Sequence, residues 1–149
     1  MNYIIENSTF DIPESYLNLR LDEYQKLFEE LYCGGQDINT VLKNYYGVTL
    51  ENARTQWAAS LKSQIKAELV FAEVVKKESL KADEKEKEDY IKAVMETASS
   101  EEGNDFLKKE ENIYKMIGSG NAEAGENYLV NQNSTRNYFI GLYNELEIE

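Results

Sequence analysis

From Leu17 the apolar positions step by three and four: Leu17, Leu21, Tyr24, Leu27, Phe28 and Leu31. This stripe predicts an amphipathic helix. Pro13 lies just ahead of it and fits a first helical turn, where its missing N–H is no loss. Asp11 and Glu14 have capping-box-like spacing, although a residue before proline avoids helical angles. The stripe stops at "CGGQD", because paired glycines end helices and Asp37 can cap the next one. A short helix carrying Ile38, Val41, Leu42 and Tyr45 follows, and Gly47 closes it.

Thr49 opens the longest predicted element. Leu50, Ala53, Trp57, Leu61, Ile65, Leu69 and Ala72 keep helical steps, and the pattern runs to about Leu80. At about 1.5 Å rise per residue such a helix is on the order of 45 Å long. "LVFAEVV" at 69–75 alone could pass for a buried strand, but its flanks hold no turn residues, so helix is expected. Asp83 with Glu86 offers a further cap for a helix carrying Tyr90, Ile91, Val94, Met95 and Ala98. "SSEEGND" breaks the chain, and another helix carries Phe106, Leu107, Ile113 and Tyr114. "GSGNAEAG" reads as a flexible joint. The last helix holds Tyr128, Leu129, Thr135, Phe139, Leu142 and Leu146 around a centre, "NQNSTRN", that is polar and weak in helix propensity.

Composition agrees with long helices: 149 residues suit one domain, and one proline with eight glycines leaves little punctuation for a multi-stranded fold. With no histidine and a single cysteine, Cys33, the chain excludes internal Cys/His pairs, Ser-His-Asp triads, His-bearing zinc sites and a disulfide framework. The lone Cys33 fits a reducing compartment. A formal net charge of −12 argues against nucleic acid and against anionic membranes. No apolar run approaches the roughly 18 residues of a membrane span, and "MNYIIENSTF" lacks the features of a signal peptide. A cytoplasmic protein is expected, or one whose leader preceded this numbering.

Chemistry-bearing motifs are missing. The glycines at Gly34–Gly35 and around Gly118 and Gly120 form no phosphate loop. Asp83, Glu84, Glu86, Glu88 and Asp89 lack the ligand pattern and central glycine of a calcium loop and read as a solvated helix face. No cofactor, metal or catalytic residue is expected. Tyrosine, in contrast, is abundant: eleven, against five Phe and one Trp. Its ring and hydroxyl suit core edges and also surfaces that are sometimes wet and sometimes covered. Tyr45 and Tyr46, as helix neighbours about 100° apart, cannot both face one core.

"NSTFDIPESYLNLRLDEYQKLF" resembles the start of the C-terminal domain of the trigger factor family, bacterial ribosome-associated chaperones. "ARTQWAASLKSQIKAELVFAEVVKKESLKADEKEKEDYIKAVMETA" is similar to that family's long helix, its joint and the helix after it, and "YFIGLYNELEIE" to its closing phrase. The likeness covers about residues 7–149. It implies an all-α, elongated multi-helix domain with helical-hairpin arms, in which an inner surface holds unfolded chains, as in the related SurA-type arrangement. The family's glycine-phenylalanine-arginine docking phrase and FKBP-like domain have no counterpart here, so the chain is expected to start at a domain boundary. Ribosome contact and prolyl isomerase activity are accordingly not expected of it.

The expected fold is therefore all-α, with about six helices in hairpins rather than a compact bundle. The expected function is ATP-independent holding of unfolded or nascent polypeptides, with no bond made or broken. The alternative is a helical interaction or assembly module for one fixed partner or for self-association as a homodimer. Tyr32, Tyr45, Tyr46 and Val48, near the free end or along the inner edge of a hairpin expected between the first and second helices, are the candidate client-binding residues. In the alternative arrangement there, Tyr32 and Tyr45 staple the hairpin and only Tyr46 is exposed.

Overall fold

The computed structural model describes residues 11–100 and 105–148. The "NSTF" of the opening phrase, residues 101–104 of the "SSEEGND" break, the side chain of Leu146 and Glu149 lie outside the described residues. Six α-helices form among those described: α1 (Glu14–Phe28), α2 (Ile38–Val41), α3 (Leu50–Lys77), α4 (Glu84–Ser99), α5 (Glu110–Ile117) and α6 (Ala122–Ile148). No described residue is in a strand, and "LVFAEVV" lies within α3.

The predicted punctuation explains most helix starts. The carboxylate of Asp37, the hydroxyl of Thr49 and the carboxylate of Asp83 accept from the backbone N–H of Thr40, Asn52 and Glu86 at 3.3, 3.1 and 3.0 Å. Each satisfies a donor that the first helical turn leaves unpaired. The start of α1 differs from expectation. Pro13 is itself the N-cap, with no side-chain cap, and its carbonyl accepts from Tyr16 and Leu17 N–H at 3.1 and 3.0 Å. Asp11 therefore lies two residues outside the helix, too far out to form a capping box with Glu14.

α1 and α3 run antiparallel as a hairpin, with Arg54 of α3 donating to Asp22 and Gln25 of α1 at 2.9 and 2.7 Å. Leu17, Leu21, Leu61 and Ile65 fill the seam lower down, and Phe28, Cys33, Ile38, Val41, Leu42 and Ala53 fill its far end. Trp57 packs against both clusters. The partner of α1 is thus the long α3, while α2 is a four-residue piece closing the tip.

α6 lies along the C-terminal half of α3 in the same direction, with the Phe71 and Tyr128 rings 5.7 Å apart and Tyr138 donating to Glu78 at 3.1 Å. A third cluster, Ile91, Ile113, Tyr114 and Leu129, joins α4, α5 and α6. "GSGNAEAG" is a packed joint rather than a flexible one. A Cβ on Gly125 would stand 1.9 Å from the Tyr114 carbonyl oxygen, and one on Gly120 (φ +106°) 2.3 Å from that of Glu23. The polar centre of α6 is helical and inward-facing: Asn133, Ser134 and Thr135 are buried.

The α5–α6 joint is fastened to the hairpin by polar groups. Arg20, fully buried, forks onto both carboxylate oxygens of Glu68 at 2.8 and 2.9 Å and donates to the Gly118 carbonyl at 2.9 Å. Gln64 donates to the Ile117 carbonyl at 3.0 Å and accepts from Ser119 Oγ at 2.6 Å, and Asn121 donates to Glu23 at 3.2 Å.

Candidate functional site

The hairpin tip is built from two π-helical turns. α1 widens into Glu29–Cys33 and ends at Gly34 (φ +54°), and α2 widens into Leu42–Tyr46 and ends at Gly47 (φ +67°). Both glycines adopt the left-handed conformation that avoids a Cβ penalty. A π turn takes more residues than an α turn, so the side chains beyond it rotate off the stripe that precedes it. Cys33 and Leu42 turn into the tip core, and Tyr32, Tyr45 and Tyr46 turn out.

All three predicted tyrosines are exposed, at 60, 73 and 54% respectively. The staple arrangement is therefore not the one adopted. Tyr32 and Tyr46 rest against Phe28, with ring centroids 5.1 and 5.9 Å away, while Phe28 packs on Trp57 at 5.3 Å. The outer rings thus stand on an aromatic foundation in the core. Val48 differs from the tyrosines: it is half-buried and packed against the tip cluster, and its N–H bonds the Leu42 carbonyl at 3.2 Å.

Burial pushes the Cys33 thiol up, and the carboxylates of Glu29 and Asp37 add to the shift, so the thiol stays protonated. The other marked shifts lie in structural contacts. Burial and a hydrogen bond to Glu110 push the Tyr114 phenol up to about 12. Lys87 is raised by its contacts with Glu84 and Glu126 at 2.8 and 2.9 Å. Among the described residues no cluster could hold a metal ion, and no helix is long and apolar enough to cross a membrane.

A second exposed apolar surface went unnoticed in the sequence. Ile140, Leu142 and Tyr143, on the last turns of α6, are 50, 38 and 61% exposed, at the opposite end of the molecule from the tip. Arg136, Phe139, Ile140 and Tyr143 line an apolar depression of about 380 Å³ there. Their three- and four-residue steps read as a core-facing stripe, and spacing alone does not say whether a stripe finds a partner.

The family model described as "Bacterial trigger factor protein (TF) C-terminus" matches residues 1–123. The closing phrase "YFIGLYNELEIE" lies beyond the matched residues. The protein named "Trigger factor" of Caldanaerobacter subterraneus subsp. tengcongensis is 30% identical over 96 residues, which cover 63% of this chain and 22% of that one. Its namesake from Halalkalibacterium halodurans is 28% identical over 124 residues, covering 75% and 28%. The chain thus spans roughly a quarter of the length of these relatives. No solved structure matches it significantly.

Proposed function

This chain belongs to the bacterial trigger factor C-terminal family, and we propose that it does chaperone-type work by holding unfolded or nascent polypeptide segments reversibly, without ATP, on the aromatic hairpin tip. One observation carries this reading: Tyr32, Tyr45 and Tyr46 stay exposed on a tip whose interior is packed. Large exposed rings on a rigid support suit variable apolar segments, and a net charge of −12 keeps such a surface soluble. Val48 lends its accessible edge. Neither a cofactor nor ribosome contact, nucleic acid or a membrane enters this reading, and it fits a cytoplasmic setting.

The energetics suit holding rather than permanent capture. Fully burying one aromatic side chain contributes roughly 1.5–3 kcal/mol, so two or three rings shared with a client give micromolar-or-weaker attachment once association entropy is subtracted. Replacing Tyr32, Tyr45 and Tyr46 together with Ser is expected to reduce suppression of aggregation when a denatured client is diluted into buffer, read by light scattering. Tm and helicity should hardly move, because none of the three fills the core. Undiminished suppression would remove the tip from the mechanism. Stoichiometric binding of one folded protein, with no capture of unrelated unfolded chains, would instead support a fixed-partner module.

A further inference from the structure

α6 outruns the helices packed against it. The side that seats Leu129 in the third cluster continues, by steps of seven, four and three, through Arg136, Ile140 and Tyr143. Arg136 and Asn137 bond Glu86 of α4, and Tyr138 bonds Glu78 just after α3. Beyond these contacts α6 runs on from Phe139 to Ile148, about 15 Å more. This end lies outside the residues that the family model matches. Where Leu129 is covered by α4 and α5, Ile140 and Tyr143 stand exposed beside the apolar depression that Arg136 and Phe139 complete.

Charge decides how two such ends can meet. Arg136 is the only basic residue of α6, and Glu145, Glu147 and Glu149 follow Tyr143 with no cation among them. Laid side by side in the same direction, two ends would put arginine beside arginine and carboxylate beside carboxylate, which is unfavourable at close range. Reversed, they bring the basic turn of each against the acidic turn of the other. The apolar face between those turns complements itself in the same arrangement, because Ile140 and Tyr143 lie on either side of its middle.

The geometry points to a second copy of this chain as the cover of this face, with the two α6 ends antiparallel about a twofold axis level with Gly141 and Leu142. Ile140 then faces Tyr143 of the second copy and Tyr143 faces its Ile140, the isologous pattern that a twofold axis requires. Each Tyr143 ring enters the depression of the other copy, where Arg136 supplies a cation for the ring face. Arg136 is half-exposed, so its bond to Glu86 leaves part of the guanidinium free for this contact. Two ends of this length are short against the roughly 1,200–2,000 Å² of a standard interface, so the dimer is weak and depends on concentration. The tyrosine-rich tip lies at the opposite end of the molecule, and the pairing is independent of the polypeptide-holding reading.

The test is sedimentation equilibrium of the full chain from micromolar to millimolar concentration, at physiological ionic strength to screen the repulsion of two chains of net charge −12. The unmodified chain should pass from one to two copies over this range. Ile140→Glu and Tyr143→Lys should each weaken the dimer at least tenfold, which corresponds to 1.4 kcal/mol. Both positions are exposed, so folding is kept, and circular dichroism checks it. An equimolar mixture of the two variants should dimerise more tightly than either alone. Antiparallel pairing sets the new glutamate opposite the new lysine and keeps one Ile140–Tyr143 contact, whereas parallel pairing restores neither. The Tyr32, Tyr45 and Tyr46 variant should dimerise like the unmodified chain. A chain that stays monomeric throughout overturns the proposal, whether or not a denatured client then covers Tyr143. Undiminished dimerisation of Ile140→Glu, or a mixture no tighter than its components, overturns it as well.

Discussion

Arg20 sits among apolar neighbours on the inner face of α1, three residues from Leu17 and four from Tyr24, yet its side chain is wholly buried. Burial alone would lower its pKa, but the paired bonds and charge of Glu68 outweigh that and hold the guanidinium firmly charged. Arg suits this position because its planar fork reaches both oxygens of one carboxylate and still has a donor for the Gly118 carbonyl. Deleting one member of a buried pair leaves the other uncompensated, at a cost of about 3–5 kcal/mol. Arg20→Met is therefore expected to lower Tm by roughly 6–20 °C for a domain of this size, followed by thermal circular dichroism. Arg20→Lys should recover only part of the loss, since an ammonium cannot form the fork. A drop of under two degrees for Arg20→Met would show that the contact is incidental to stability.

At the scale of elements, α6 shows packing overriding propensity. Ser134 donates to the Lys81 carbonyl at 3.2 Å, tying the helix to the segment ahead of α4, and Arg136 and Asn137 both bond Glu86. Thr135 is different. It is almost completely buried, and its hydroxyl has no hydrogen-bond partner among the described residues. A buried hydroxyl without a partner carries a desolvation penalty of roughly 1–3 kcal/mol, which an isosteric methyl removes. Thr135→Val is thus expected to raise stability by about 1 kcal/mol in chemical denaturation with an unchanged m-value. Destabilisation by that variant would mean that the hydroxyl is satisfied in solution, for example by an ordered water.

For the whole molecule, the polar junction decides whether hairpin and C-terminal helices behave as one body. Trp57 reports on the hairpin and far-UV circular dichroism on all helices, so with the junction intact both signals should be lost at one denaturant concentration. In Arg20→Met the α4–α6 cluster should unfold separately and the two curves should part; coincident curves in that variant would show that apolar contacts alone join the halves. Exposed aromatic residues at opposite ends, the tip tyrosines and Tyr143, also suit contacts spread along a chain rather than a catalytic pocket. In line with that, the protein is expected not to accelerate cis/trans isomerisation of a prolyl peptide. Catalysis by pure material, abolished by a substitution in this chain, would contradict the reading.

The sequence by itself determined the helices, most of their ends and the excess of acidic charge. Stripe spacing and caps such as Asp37, Thr49 and Asp83 act within a few residues, so local physics suffices to read them. It also indicated that Tyr45 and Tyr46 could not both be covered, because that follows from helix geometry alone. Tertiary structure decided the rest. Which helix pairs with α1, the inward turn of Arg20 and of Asn133–Thr135, the close approach of Gly120 to Glu23 and the bare end of α6 depend on elements that lie far apart along the chain. Polar side chains signal exposure in a sequence, and only a partner from a distant element, as Glu68 is for Arg20, makes their burial favourable.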